Sequence, residues 1–262
     1  MVKVIAIVCQ KGGVGKTATA VNLGIGLARQ GKRVLLIDAD AQASMTISLG
    51  YLDSRKYPDT LASIMSKIIE ETPIDTSKGI LTHKEGVSLL PANSDLAAME
   101  MYLGNTTTLS REFIMQEYIN QVSLEYDYII IDTQPSLGLL TINAMAAADS
   151  VIIPVQAEFL PAKGLEQLLN TIFRVQKRIN KALKIGGILL TMVNTRTNDS
   201  REIIASIKAA YGNQIRIFTS IPRCVRVPVS SKLGESIYFS DPGSKVALAY
   251  EAFTKEVLQS GK

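Results

Sequence analysis

Three features of the 262-residue sequence predict an α/β fold: a doubly wound, mostly parallel sheet with helices on both faces. Short β-branched runs alternate with helical periodicity along the whole chain. The runs are continuously apolar instead of alternating, as strands buried on both faces are. The first of them, VKVIAIV, passes straight into the glycine-rich turn QKGGVGKT and then into a helical pattern. Composition agrees, since 47% hydrophobic and 20% charged residues describe an ordinary globular chain. With no internal repeat, low-complexity linker or clear boundary, residues 1–262 are expected to form one domain.

Taken in order, strands are predicted at Val4–Val8, Val34–Ile37, Val87–Leu90, Tyr128–Ile131, Val151–Val155 and Ile185–Val193. Helical patterns lie between them, at 16–30, 60–70, 94–102, 108–123, 139–147, 163–181 and 200–211. The segment 53–86 is polar and irregular and is expected to be a peripheral excursion. A closing helix follows DPGSK, with Asp241 or Ser244 as its cap and Val246, Ala249, Tyr250, Phe253 and Val257 along one face.

Several functions are excluded. Two cysteines, Cys9 and Cys224, are too few for a disulfide framework or a Cys-rich metal site. A single His83 argues against histidine-based chemistry and is expected in a loop. The first strand is too short for a signal peptide, and no apolar run approaches the ~20 residues of a membrane span, so a cytoplasmic protein is expected. Net charge is uneven. Residues 1–160 hold 12 Lys and Arg against 17 Asp and Glu, whereas residues 161–262 hold 16 against 7. The basic half is either a polyanion-binding face or a set of solvated helix faces.

The glycine-rich turn has the parts of a phosphate loop. Gly12, Gly13 and Gly15 let backbone N–H groups approach phosphate oxygens. Lys16 can neutralise the β- and γ-phosphates, and the Thr17 hydroxyl can bind Mg²⁺. A helix beginning near residue 16 points its N-terminal dipole at the anion. The usual spacing G-x-x-x-x-G-K-[ST] fails, because Gln10 stands where its first glycine would be. Lys11 instead opens the glycine run. At these residues the sequence resembles the deviant Walker A ATPases, and specifically the ParA/Soj partition proteins. That resemblance implies a P-loop fold, with ATP and Mg²⁺ held by Gly12, Gly13, Val14, Gly15, Lys16, Thr17 and Ala18. It also implies an ATP-dependent sandwich homodimer, in which Lys16 serves its own nucleotide and Lys11 the partner's.

Carboxylates follow the strands. VLLIDADAQAS places Asp38 and Asp40 just past the second strand, facing the same way. Ligands bind at that end of a parallel sheet, and a carboxylate there can position a water for attack on phosphorus. The family pattern is D-x-D-P-Q. Asp40 matches its catalytic switch I aspartate and Asp38 its first aspartate. Gln42 is present, but Ala41 replaces the proline that would restrain the loop. In YDYIIIDTQPSLG, Asp132 ends an apolar strand and fits a Walker B carboxylate for Mg²⁺. Gln134, before Pro135 in switch II, departs from the small or proline residues common in the family.

The resemblance runs from residue 2 to about 258. It implies that Asn194, in TMVNTRTNDSRE, and Pro222 and Arg223, in SIPRCVRV, lie near the adenine. Nitrogenase iron proteins share the two-lysine loop, but Cys9 and Cys224 do not fit their cluster ligands. The helix at 163–181 sets Leu165, Leu168, Ile172, Val175 and Ile179 opposite Arg174, Lys177, Arg178 and Lys181. Few aromatics accompany the cations, so any nucleic-acid footprint falls on phosphates. For this family the partners implied are non-specific double-stranded DNA, with nucleoid association when ATP is bound, and a ParB-like centromere-binding protein. Arg201, Arg226, Lys232 and Lys245 are the candidate DNA contacts. A MinD-like membrane-cycling ATPase would need a cationic amphipathic tail beyond the closing KEVLQSGK, and no membrane partner is expected. A P-loop ligase acting on a small carboxylate is the other alternative. The start at the first strand argues against an additional sequence-specific DNA-binding domain.

Overall fold

The computed structural model describes residues 1–53, 56–57, 59–76, 78–105, 111–157, 161–194 and 198–260. Its centre is a seven-stranded sheet in the order β3-β4-β2-β5-β1-β6-β7. The strands are β1 (Lys3–Ile7), β2 (Val34–Ala39), β3 (Leu81–Thr82), β4 (Ser88–Leu90), β5 (Tyr128–Thr133), β6 (Ser150–Gln156) and β7 (Lys184–Thr191). All neighbours pair in parallel except β3, which lies antiparallel on β4 at one edge. β3 is the strand that the sequence did not predict. Two residues inside a polar excursion carry no periodicity.

Alternate strand residues feed two cores, one per face. Val4, Ala6, Leu35, Ile37, Ile129 and Ile131 pack under α3 (Leu61–Ile69), α4 (Asp95–Asn105), α5 (Ile114–Val122), α6 (Leu139–Ala147), α7 (Pro161–Arg178) and α8 (Asn198–Tyr211). Ile5, Ile7, Leu36 and Ile130 face α1 (Lys16–Arg29), α2 (Ser44–Ser48), α10 (Ile237–Ser240) and α11 (Lys245–Gln259). The short helix α9 (Arg226–Lys232) packs beside α2. This two-sided burial is why the strands read as unbroken apolar runs. The first turn predicted for α5, from residue 108, falls partly outside the described residues.

Helix ends follow local chemistry. Thr60 and Ser63 form a reciprocal capping box at α3. Of the two candidates at α11, Ser244 is the cap: its Oγ accepts from the Ala247 N–H at 3.1 Å. Val246, Tyr250, Phe253 and Val257 are buried as predicted, while Ala249 is half-buried. His83 is a loop residue, as expected, but not a solvated one. It follows β3 but is buried, its Nε2 lying 3.1 Å from the Gly234 carbonyl. Since Nδ1 accepts from the Glu85 N–H, Nε2 is the protonated donor.

Phe253 is wholly buried and meets Phe218 edge-to-face at 5.0 Å. Phe253→Ala is expected to cost about 3–5 kcal/mol, from lost burial plus the cavity left behind. Urea unfolding checks this, and a loss below about 1 kcal/mol would mean that α11 contributes little to the core.

Candidate nucleotide and metal site

The predicted phosphate-loop and carboxylate residues lie at the carboxyl ends of the central strands. β1 ends at Ile7, and residues 8–15 form a loop into α1. Gly13 (φ 73°) and Gly15 (φ 85°) adopt the left-handed conformation that a Cβ strains. Gly15 is the N-cap of α1 and no side chain among the described residues caps that helix, which leaves its first N–H groups open to an anion. Two strand-end hydroxyls hold the loop. Thr191 Oγ1 donates to the Val14 carbonyl and Thr133 Oγ1 to the Ile7 carbonyl, each at 2.8 Å. Sequence reasoning passed over both threonines. Their signal is a hydroxyl ending an apolar run, where an unpaired polar group must find a partner.

The two lysines differ. Lys16 is only 7% exposed, and its Nζ donates to the Lys11 carbonyl at 3.3 Å. The Lys11 residue, with Gly12 and Gly13, is exposed. Val14 is buried, and Thr17 and Ala18 are half-buried at the start of α1.

Asp38 and Asp40 do not share one environment, which corrects the sequence reading. β2 continues to Ala39, so Asp38 lies inside the strand and only Asp40 lies beyond it. Asp38 is fully buried. It accepts from the Thr46 N–H (2.8 Å), the Thr46 hydroxyl (2.7 Å) and the Asp40 N–H (3.2 Å). Burial pushes its carboxyl up to about 6, opposed by the bonds from Thr46. Asp40 Oδ1 accepts from the Gln42 N–H at 2.9 Å, and the Ala43 N–H closes the turn on the Asp40 carbonyl at 2.8 Å. Ala43 sits at φ 51°, a strained angle for a non-glycine residue. The loop with Ala41 is therefore held by hydrogen bonds, not by proline, and Gln42 is exposed.

Asp132 lies directly across from Asp38 in the β2–β5 register. It is 1% exposed, and neither carboxylate oxygen has a hydrogen-bond partner among the described residues. Burial, and then the charge of Asp38, push it up to about 8. The Thr17 hydroxyl and the Lys16 charge pull it down, although Thr17 falls short of a formed hydrogen bond. A buried, unpartnered carboxylate below an uncapped helix N-terminus fits a hard cation. Asp132 and Thr17 would hold it. Among the described residues no cluster of three or more His, Cys, Asp or Glu could do so alone, so phosphate and water oxygens would complete the shell.

The segment after β5 rests on the loop, with Pro135 Cβ 4.0 Å from the point a Cβ on Gly12 would occupy. Gln134 turns away: its Nε2 donates to Glu100 Oε2 on α4 at 2.7 Å. Near Gly15 stands Met192, at φ 51°, another residue sequence reasoning missed. Asn194, Pro222 and Arg223 are brought together. The Val193 N–H donates to the Ile221 carbonyl and the Arg223 N–H to the Val193 carbonyl, each at 3.0 Å. Residues 195–197 lie outside the described residues.

Cys9 is half-buried beside the loop, and burial raises its thiol pKa; Cys224 is also a free thiol. Arg201, Arg226, Lys232 and Lys245 are all exposed, but their helices pack on opposite cores. Arg201 is on α8, on the α7 side, whereas Arg226, Lys232 and Lys245 are on α9 and α11. The face of α7 predicted to be basic is solvent-exposed at Arg174, Lys177 and Arg178, and Lys181 is exposed just past the end of the helix.

Fold and site together define a P-loop nucleotide-binding protein. The AAA-domain family model matches residues 2–185. The sporulation initiation inhibitor protein Soj of Bacillus subtilis is 44% identical over 262 residues, covering 100% of each chain. The chromosome partitioning protein ParA of Caulobacter vibrioides is 36% identical over 98% of this chain and 94% of its own. A solved structure of cobyrinic acid a,c-diamide synthase from Mycobacterium smegmatis, with bound ADP and magnesium, superposes with TM-score 0.85. It is 35% identical over 100% of this chain and 97% of that one. The chain belongs to the AAA-domain family and, within it, to the ParA/Soj-type ATPases.

The raised carboxyls set a pH dependence. Asp132 binds its proton more tightly folded (about 8) than unfolded (~3.9), so its stabilising contribution is complete at low pH and fades as pH rises toward 8. Asp38 acts in the same direction up to about 6. The nucleotide-free protein should therefore melt at lower temperature at pH 8 than at pH 6, and Asp132→Asn should flatten that slope. Parallel melting profiles for the two proteins would contradict the assignment.

Proposed function

We propose that this chain, working as one domain, is a DNA partition ATPase that hydrolyses ATP to ADP and phosphate. In this reading an ATP-bound sandwich dimer grips double-stranded DNA without sequence preference, and hydrolysis releases it. The observation that carries the reading is Asp132: a buried carboxylate with no partner, beside Lys16 and Thr17 and below the open N-terminus of α1. Such a group is costly unless a cation and its phosphate ligands complete it. Asp132 and Thr17 would hold a bound Mg²⁺, which would supply positive charge to neutralise what develops on the phosphates. The loop N–H groups and Lys16 hold the phosphates, and Asp40 orients the attacking water. That water's oxygen bonds the γ-phosphorus. The bond to the bridging oxygen breaks with its electron pair left on ADP, and the water's proton passes by way of Asp40 to phosphate or solvent. Asp38 does not touch the nucleotide; through Thr46 it anchors α2 behind Asp40. Gln42 and Pro135 belong to the two switch segments, and Asn194, Pro222 and Arg223 form the base-side wall.

Soj and ParA relatives support the partition role. In this reading a ParB-like centromere-binding partner stimulates turnover. Among the described residues no helix is long and apolar enough to cross a membrane. Likeness to cobyrinic acid a,c-diamide synthase favours a second reading, an ATP-dependent ligase acting on a small carboxylate. Turnover raised by cobyrinic acid, and not by DNA with a centromere-binding partner, would select it.

Lys16→Ala should abolish ATP binding. Lys11→Ala should bind ATP normally and fail to dimerise, because the exposed Lys11 reaches the partner's nucleotide. Sedimentation with an ATP analogue tests this, and a normal dimer of the Lys11 variant removes the cross-dimer role. Asp40→Ala should bind and dimerise but not turn over; wild-type hydrolysis by that variant would eliminate Asp40 as the residue that orients water.

DNA binding should require ATP and weaken steeply with salt. If Arg201, Arg226, Lys232 and Lys245 each meet one phosphate, a dimer makes about eight contacts, and log K should fall against log salt with a slope of roughly −7. Arg226→Ala or Lys245→Ala should flatten the slope by roughly 2. Unchanged slopes for both would shift the footprint to another face, such as the cations of α7. Preference for one of two unrelated duplexes would end the non-specific reading.

A further inference from the structure

Gln134 stands two residues beyond Asp132, in a turn closed by the Ser136 N–H on the Gln134 carbonyl at 2.8 Å. The neighbouring Pro135 lies against Gly12 of the phosphate loop. Its backbone is thus beside the nucleotide site, yet its carboxamide points away, held by Glu100 Oε2. The other Glu100 oxygen is just as confined. A Cβ on Gly138 would fall 1.8 Å from Glu100 Oε1. Gly138 has φ −73° and ψ −174°, extended backbone open to any residue, so its lack of a side chain answers to the space Glu100 needs and not to the chain's path.

We propose that Glu100 is an autoinhibitory latch. It parks the Gln134 carboxamide, and release lets that carboxamide turn inward to orient the attacking water. A carboxamide is suited to this because its oxygen accepts a hydrogen bond from water while its N–H donates one to a phosphoryl oxygen. Bound to Glu100, its N–H is occupied. The chemistry is the hydrolysis written above, with Gln134 as a second orienting group beside Asp40, so the inference rests on the ATPase reading. Glu100 is a positioning residue, since it acts only through Gln134.

Steady-state hydrolysis by the full chain, with Mg²⁺ and ATP, tests the latch in five proteins. Glu100→Ala removes the acceptor. Gly138→Ala expels the Glu100 carboxylate from the other side, and the atom it displaces is the end of a flexible side chain. Each should raise kcat by roughly fivefold, the scale of one ordinary hydrogen bond, with KM unchanged. Glu100→Gln keeps an acceptor for the Gln134 amide and should stay within about twofold of wild type. Gln134→Ala, alone or combined with Glu100→Ala, should not exceed the wild-type rate. The proposal is overturned if Glu100→Ala and Gly138→Ala both leave kcat unchanged, or if the rise survives removal of Gln134. The Gln134 side-chain amide NMR signal gives a readout free of turnover. It should shift in Glu100→Ala and in Gly138→Ala, and an unmoved signal in both refutes the latch. If wild-type protein fails to hydrolyse ATP while that signal still shifts, the ATPase reading falls and the Glu100–Gln134 contact stands.

Discussion

Burial of Asp132 opposite Asp38 is the constraint around which the site is arranged. The two carboxylates occupy one register position on neighbouring central strands, and both are inaccessible to solvent. Two negative charges in an apolar sheet repel each other and lose their hydration, so each needs neutralisation or hydrogen bonds. Asp38 obtains bonds within the fold, from Thr46 and the Asp40 backbone. Asp132 obtains none among the described residues. Its requirement is met only by a proton or by a cation, and that choice links the sheet's interior to whatever occupies the loop above it.

The same pair organises the surrounding elements. Thr46 donates its hydroxyl to Asp38 and accepts from the Ala92 N–H at 3.0 Å, which fixes α2 between β2 and the chain leaving β4. That fixes the turn carrying Asp40. α2 in turn packs on α9, where Arg226 and Lys232 reside. On the other side of the loop, Asn22 of α1 accepts from the Ile237 N–H at 3.0 Å, and the Gly234–Ser236 link is bound to the β3–β4 turn through His83, Lys84 and Glu85. The helix that follows the phosphate loop and the turn that follows β2 therefore both bear on the basic C-terminal helices. Nucleotide-side movement has a short physical route to them.

Much of this was legible in the sequence where one residue type has one physical reason to be there. Unbroken apolar runs announced two-sided strands, and the central strands were located to within a residue or two. Gly13 and Gly15 announced a loop that only glycine can follow. Asp132 at the end of YIIID was legible because a carboxylate closing such a run has no apolar explanation. What escaped depends on contacts distant in sequence. Asp38 and Asp40 were both expected just past β2, and only Thr46 and the true end of the strand show Asp38 to be inside it. The burial of His83 in its loop escaped because its partner, Gly234, is 151 positions away. Glu100 carried no signal at all in a helix whose other acidic residue is exposed. The short α2, α9 and α10 have too few turns to show a period.

The central claim is that Asp132 exchanges its proton for a cation when nucleotide binds. Calorimetry at pH 7, in two buffers of different ionisation enthalpy, measures the protons exchanged when a preformed magnesium complex of a non-hydrolysable ATP analogue binds. The account predicts release of close to one proton per chain from wild type and about none from Asp132→Asn. Equal proton release from the two proteins would contradict it.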